Sequence, residues 1–520
     1  MMKAVRALLP IGKEPVMGAN HHRRDFLKTA AGTGAVLGLS NMGFLSKLGP
    51  VSAAEAKLEP NKVRYGDDIE PLVRLLEDTP RERVLEEVAA RVKKGLEYRQ
   101  LLAAILLAGV RDIQPRPVGF KFHAVLVVNS ANLASLASPD EHRWLPIFWA
   151  IDAFKSSQAQ NVKEGNWTMQ AVDEKAVAPP ESAFAAFAAA MNDWDELAAD
   201  SAVVGLARSA KPQVVFEIFC RYGMRDFRDI GHKAIYVANS WRALQHIGWQ
   251  HAEPVLRSLA YALLEHEGDN PAHRDAQPDR PWKQNQELAN KIRADWSDGK
   301  PDPTRTTELL ATLRTGSPAE ASEKVVELLN AGVAPKSIWE AIFDGAGELM
   351  MRDPNIRSLH AVTTTNAMRF AFGQTVNDNS KRLLLLQNAA FIPLFRGNPK
   401  TKGVAIDQLE PLSPKKSGRE AVAEILADIS HDRQTAARKV LAYAKDNPAP
   451  KELIDAARLL IFFKGRDAHD YKFSSAVMED YAAMSSPWRE RYLAASVFNL
   501  KGTDDPENSL VKRTRAALEG

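Results

Sequence analysis

Four stretches of this chain share one frame, and that recurrence constrains the fold more than any other feature. The clearest is Ser358-Leu359-His360-Ala361-Val362-Thr363-Thr364-Thr365-Asn366-Ala367. A polar loop gives way to a His that opens a small-residue helix, and an Asn follows about two turns later. Phe122-His123-Ala124-Val125-Leu126-Val127-Val128-Asn129-Ser130 and Gly231-His232-Lys233-Ala234-Ile235-Tyr236-Val237-Ala238-Asn239-Ser240 repeat it. Tyr471-Lys472-Phe473-Ser474-Ser475-Ala476-Val477-Met478-Glu479 keeps the frame with a Lys at its head. Three His and one Lys, delivered by four helical repeats, are expected to converge on one metal site.

An array of this kind predicts an all-α protein. Strand signals are scarce, and only Ala124–Val128 is β-branched enough to compete with helix. Thr79-Pro80-Arg81-Glu82 has the form of a helix start, followed by Val84, Val88, Val92 and Leu96 at helical spacing. A second helix is predicted from Tyr98 to Val110, one over Pro180 to Ala199, and one from Ser337, as N-cap, to Met351. Glu267 to Gln284 reads as a long surface loop, and Arg396 to Lys416 as a connection. The expected architecture is about four divergent helical hairpins packed into one compact domain, residues 57–520, around a central cavity.

Residues 1–56 stand apart. Arg23-Arg24-Asp25-Phe26-Leu27-Lys28 matches the twin-arginine export signature, and Val51-Ser52-Ala53 or Ala54-Glu55-Ala56 suits a signal peptidase. The intervening run from Thr29 to Leu45 holds too many Gly and polar residues for a stable membrane anchor. The expectation is passage through the twin-arginine translocon to a periplasmic or secreted destination. A formal charge of +3 over 520 residues, with no basic stripe, argues against nucleic acid as a partner. Cys220 is the sole cysteine, which excludes an intrachain disulfide and Cys-rich zinc or iron–sulfur sites.

Imidazole is the commonest metal ligand, because one neutral nitrogen donates while the other is fixed by a partner. His123, His232 and His360 occupy matching places. His251 is the fourth ligand candidate, with His469 and His142 behind it, and Glu479 is a possible oxygen ligand. Asn129, Asn239 and Asn366 lie six or seven residues beyond their His. They are placed to fix tautomers, to bind substrate, or simply to join helices. Lys472 has three readings: a partner of Glu479, a catalytic base, or a carboxylated metal ligand. Asp344 and Glu348, at i, i+4, read as a solvated or interhelical pair.

The His-headed helices, Gly231-His232-Lys233-Ala234-Ile235 and His469-Asp470-Tyr471-Lys472-Phe473 together resemble the questin oxidase-like proteins. The resemblance spans roughly residues 80 to 490. It implies an all-α fold and oxidative ring or carbon–carbon cleavage of aromatic polyketides, some members using non-haem iron. It also implies His123, His232, His360 and His251 as ligands, with Lys472 as a carboxylated ligand or tuner. The chain departs from that pattern at Glu479, where a further His is expected, and in its export signal.

The leading expectation is an exported, iron-dependent oxidoreductase acting on an aromatic or carbonyl-rich small molecule. Zinc in a similar shell suits hydrolysis instead, and a helical-repeat binding protein with structural histidines is the reading from another class. No P-loop, nucleophile elbow, His-Glu-x-x-His or haem-attachment signature is present.

Overall fold

A helix without a polar face can only be stable inside the molecule, and His123–Leu136 carries no Asp, Glu, Lys or Arg. The computed structural model, which describes residues 62–397 and 403–519, places it accordingly. The export segment lies outside the described residues. Among those described are 22 α-helices and no strand beyond two isolated bridges. The all-α expectation therefore holds, and Ala124–Val128 is helical.

In chain order the first helices are α1 (Glu70–Asp78), α2 (Arg81–Lys93), α3 (Tyr98–Asp112), α4 (His123–Leu136) and α5 (Leu145–Lys163). Then come α6 (Ala183–Asp193), α7 (Glu196–Ser209), α8 (Pro212–Gly223), α9 (His232–Ile247) and α10 (Ala252–Leu263). The middle of the chain forms α11 (Arg280–Ala289), α12 (Pro303–Thr315), α13 (Pro318–Asn330) and α14 (Pro335–Arg352). It continues through α15 (Ile356–Gln374), α16 (Asp378–Arg396), α17 (Gly418–His431) and α18 (Arg433–Asp446). The last helices are α19 (Lys451–Lys464), α20 (Ala468–Ala483), α21 (Trp488–Ser496) and α22 (Ser509–Glu519).

Helices α4, α9, α15 and α20 form a closed inner ring, each touching the next and α20 returning to α4. Each packs against the helix before it and the helix after it, so an outer layer shields the ring. The His residues near all four N-termini meet at one end, so the inner helices run in the same direction. Between the ring's helices lies a small cavity of about 20 Å³, lined by Asn129, Asn239, Arg242, Asn366, Lys472 and Glu479 among others.

Several expected boundaries move for local reasons. The run from Pro180 to Ala199 breaks at Trp194, whose φ of 56° ends α6, and Asp195 caps α7 by accepting from the Ala198 amide. The expected loop Glu267–Gln284 already contains two short helical turns and the start of α11. Ser337 does not cap α14, which begins at Pro335; its hydroxyl accepts from the Asp302 amide at 2.9 Å. Asp344 is fully buried rather than solvated, and burial holds its carboxyl well above the usual range. Glu348 pairs with Arg314 between helices.

Within the ring, Arg242 of α9 donates to Asn239 at 3.4 Å and Asn366 at 3.3 Å, and pairs with Glu479 of α20. Asn366 completes this layer by donating to Glu479 and Asp480, each at 2.8 Å. One buried guanidinium thus joins three inner helices. Arg242→Leu is expected to cost about 1–3 kcal/mol of stability, because it leaves the buried Asn366 side-chain oxygen without its donor and unpairs the Glu479 carboxylate. Urea unfolding of the purified variant measures this.

Candidate metal centre

The sequence places a strained backbone just before two of the ring's His residues. Phe120 has φ 51°, and Asp229, Ile230 and Gly231 have φ 52°, 45° and 81°. Left-handed conformations are costly for Phe and more so for β-branched Ile. Each strained residue three positions upstream turns its carbonyl onto an imidazole. Phe120 O accepts from His123 Nδ1 at 2.8 Å, and Asp229 O from His232 Nδ1 at 2.5 Å. Gly231 is required twice over, since a Cβ there would lie 2.2 Å from Thr364 Oγ1 in addition to its positive φ. In α15 the unstrained Ile356 carbonyl does the same for His360 Nδ1 at 2.6 Å.

A carbonyl oxygen can only accept, so these three Nδ1 atoms must donate. The neutral rings therefore carry lone pairs on Nε2. Yet His232 Nε2 faces His123 Nε2 at 3.0 Å and His360 Nε2 at 2.9 Å. Three acceptors facing one another at hydrogen-bond distance repel unless a cation lies between them. Protonation does not supply it. Burial pushes His123, His232 and His360 far below the ordinary imidazole range, and nearby Lys472 adds to the effect.

The fourth imidazole is His469 in the first turn of α20, and one nitrogen from each of the four rings lies within 4.8 Å of the others. Asp467 caps α20 by accepting from the His469 and Asp470 amides. Its Oδ1 also stands 3.4 Å from His469 Nδ1, and His469 Nε2 is buried with no partner. This is the carboxylate–imidazole pairing that orients a metal-ligating His. The ring centroids follow chain order around the site, 4.9, 4.2, 5.1 and 4.4 Å for His123–His232–His360–His469 and back to His123.

Geometry distinguishes two ways of filling the site. At a metal–nitrogen distance of about 2.1 Å, tetrahedral ligands lie about 3.4 Å apart and right-angled ligands about 3.0 Å apart. The two short Nε2 separations match the right-angled arrangement. The site sits close to the surface. His232 and His360 are buried, whereas His123 and His469 are half-buried. A Cβ on Gly119 would stand 3.4 Å from His232 Cε1 and 3.6 Å from His123 Cε1, so this backbone covers the rings closely. Phe120 and Ile356, whose carbonyls hold His123 and His360, are themselves 75% and 48% exposed, giving the site an apolar rim.

Lys472 does not head its helix. It lies one turn inside α20 beneath the imidazoles, buried, with Nζ lacking any partner and drawn down to about 7 by burial. The expected pairing with Glu479 is not made, because Arg242 and Asn366 take that carboxylate. Glu479 is therefore not among the clustered donors. Nor is His251, whose Nε2 lies 3.4 Å from the Gln250 amide on the turn before α10. His142 packs edge-on against Phe463, away from the cluster. Asn129, Asn239 and Asn366 do not touch the imidazoles. Asn129 donates to Asn239 at 3.4 Å, and Asn239 to the Leu126 carbonyl at 3.0 Å, so these residues join helices. The ligand promoted by the structure, His469, had a sequence signal: Asp467 and Asp470 form a capping box that puts it in a first helical turn.

No family model, curated protein or solved structure matches the chain.

Two outcomes follow from the cluster. Elemental analysis of protein purified without chelator is expected to find about one metal ion per chain in wild type, His251→Ala and Glu479→Gln. His232→Ala, His360→Ala and His469→Ala should lose it. The pH dependence has a definite sign. In the metal-free protein the imidazoles are neutral when folded and protonate on unfolding near pH 6.5, so the unfolded state binds more protons. Stability is then fully present above about pH 6.5 and falls below it, by about 1.4 kcal/mol per pH unit for each imidazole. Urea midpoints between pH 5 and 8 check this, and a flat profile contradicts it.

Proposed function

We propose that this protein is a metal-dependent oxidoreductase, a non-haem iron oxygenase acting on an aromatic or carbonyl-rich small molecule outside the cytoplasm. The observation that carries the reading is the set of facing Nε2 lone pairs at right-angled spacing. His123, His232, His360 and His469 would hold the metal, and an all-imidazole shell with an open position would suit iron and oxygen chemistry. The questin oxidase-like resemblance of the His-headed helices points the same way.

When bound, iron would supply oxygen activation at that shell. The chain's own contribution is orientation, exclusion of water and proton handling. The Phe120, Asp229 and Ile356 carbonyls fix the ring tautomers and keep the imidazoles from turning. Phe120 and Ile356 present an apolar rim against which a flat, apolar substrate displaces water. Lys472 Nζ, poised near neutrality, holds or releases a proton behind the imidazoles. The adjoining cavity of about 20 Å³ has room for one water to carry it.

A second reading, a zinc hydrolase, is favoured by the all-imidazole donor set, which zinc accepts equally well. Oxygen uptake separates the two. Protein recovered from the periplasm of cells making the full chain, and reconstituted with Fe²⁺ under argon, is expected to consume oxygen with hydroxylated anthraquinones. His232→Ala should abolish uptake. Phe120→Ser should raise KM about tenfold with little change in kcat, since about 1–2 kcal/mol of apolar contact is lost in substrate and transition state alike. Ester hydrolysis by the zinc form, without oxygen uptake by the iron form, would overturn the oxygenase reading.

A further inference from the structure

A second pocket lies on the same inner helix as His360, nine residues further along α15, where Arg369 and Phe372 meet α14 and the start of α16. At 1.5 Å per residue this is about 13 Å from the imidazole layer, too far for direct chemistry between them. The pocket encloses about 530 Å³, the size of a small-molecule site.

Its walls are aromatic. Trp339 and Phe372 have ring centroids 5.4 Å apart, Trp296 and Phe372 6.3 Å, and Trp339 and Phe343 6.0 Å. Its lining carries more cations than carboxylates. Arg369 lies over Trp339 and Phe372 at 5.8 and 5.6 Å, and Lys381 over Phe372 at 5.8 Å. Among the described residues neither cationic side chain makes a hydrogen bond or ion pair, and Lys336 adds a third cation to the lining. The two lining carboxylates are already engaged. Glu340 accepts from the Ser485 amide at 3.0 Å, and Asp378 accepts from Trp296 Nε1 at 2.8 Å and from Arg382 at 2.7 Å. Trp339 Nε1 is buried and has no partner, although a buried indole N–H ordinarily finds one.

We propose that this pocket binds a planar aromatic carboxylate, its ring against Trp339 and Phe372 and its carboxylate on Arg369 and Lys381. A flat π-system matches the aromatic walls, and a guanidinium with its donors unused takes a carboxylate through two parallel hydrogen bonds. This site is independent of the metal and of the oxygenase reading.

Tryptophan fluorescence and calorimetric titration of the full chain with 2-naphthoate test it. Wild type should bind one equivalent saturably in the micromolar range. Arg369→Gln and Trp339→Leu should weaken binding at least tenfold. Lys381→Gln, a substitution at a half-buried side chain with no partner to strand, should weaken it several-fold without altering the fold. His232→Ala should bind like wild type. The neutral analogue 2-naphthalenemethanol should bind at least tenfold more weakly. Equal affinity for the alcohol, unchanged affinity in both Arg369→Gln and Lys381→Gln, or absence of saturable binding to wild type would each overturn the proposal.

Discussion

The facing imidazole lone pairs of His123, His232 and His360 are the interaction on which the rest of the structure depends. Each ring donates its Nδ1–H to a backbone carbonyl, so each presents only the Nε2 lone pair to its neighbours. Such a cluster does not hold itself together. The surrounding helices leave the rings no alternative position, and a bound cation would convert the repulsion into a bond to each ring. The left-handed backbone at Phe120, Asp229 and Ile230 belongs to the same account, as local strain retained where it aims a ligand.

The parallel ring of α4, α9, α15 and α20 sets the electrostatics of that site. Four helix N-termini carry partial positive charge toward one point, which disfavours protonated His and disfavours a bare cation as well. Neutral imidazoles are what such a position accepts. The same field would favour an anionic ligand at the open side of the cluster. Lys472, buried just behind the rings, reinforces both tendencies. Arg242, one layer deeper, offsets them by bringing its own carboxylate and amide partners together across three helices.

Much of this was legible in the residues. The unbroken apolar and small-residue runs after His123, His232 and His360 announce interior helices, and the structure brings those three rings together. The Lys-headed fourth frame sits about one helical turn beyond the true helix start. The spacing from Lys472 to Glu479 suggests that register, whereas the helix starts at Ala468 under the Asp467 cap and so presents His469. His251 also lies at a helix start, but that helix, α10, belongs to the outer layer. The Asn residues sit on the inner face as their spacing implies; their partners are one another and Arg242, which no local pattern reveals.

The sequence by itself determined which segments are helical, which of them are interior, and that His123 and His232 head theirs, because those properties arise from neighbours within one or two turns. The aromatic character and positive charge of the Arg369 pocket were not visible, since Trp296, Trp339, Phe372 and Lys381 come from separate elements. Only the tertiary structure decided that His232 meets His123 across 109 positions and His360 across 128. It alone chose His469 over His251 as the fourth ring. Packing of the inner ring, which minimises exposed apolar surface along whole helices, sets those distances, and no single residue's spacing encodes them.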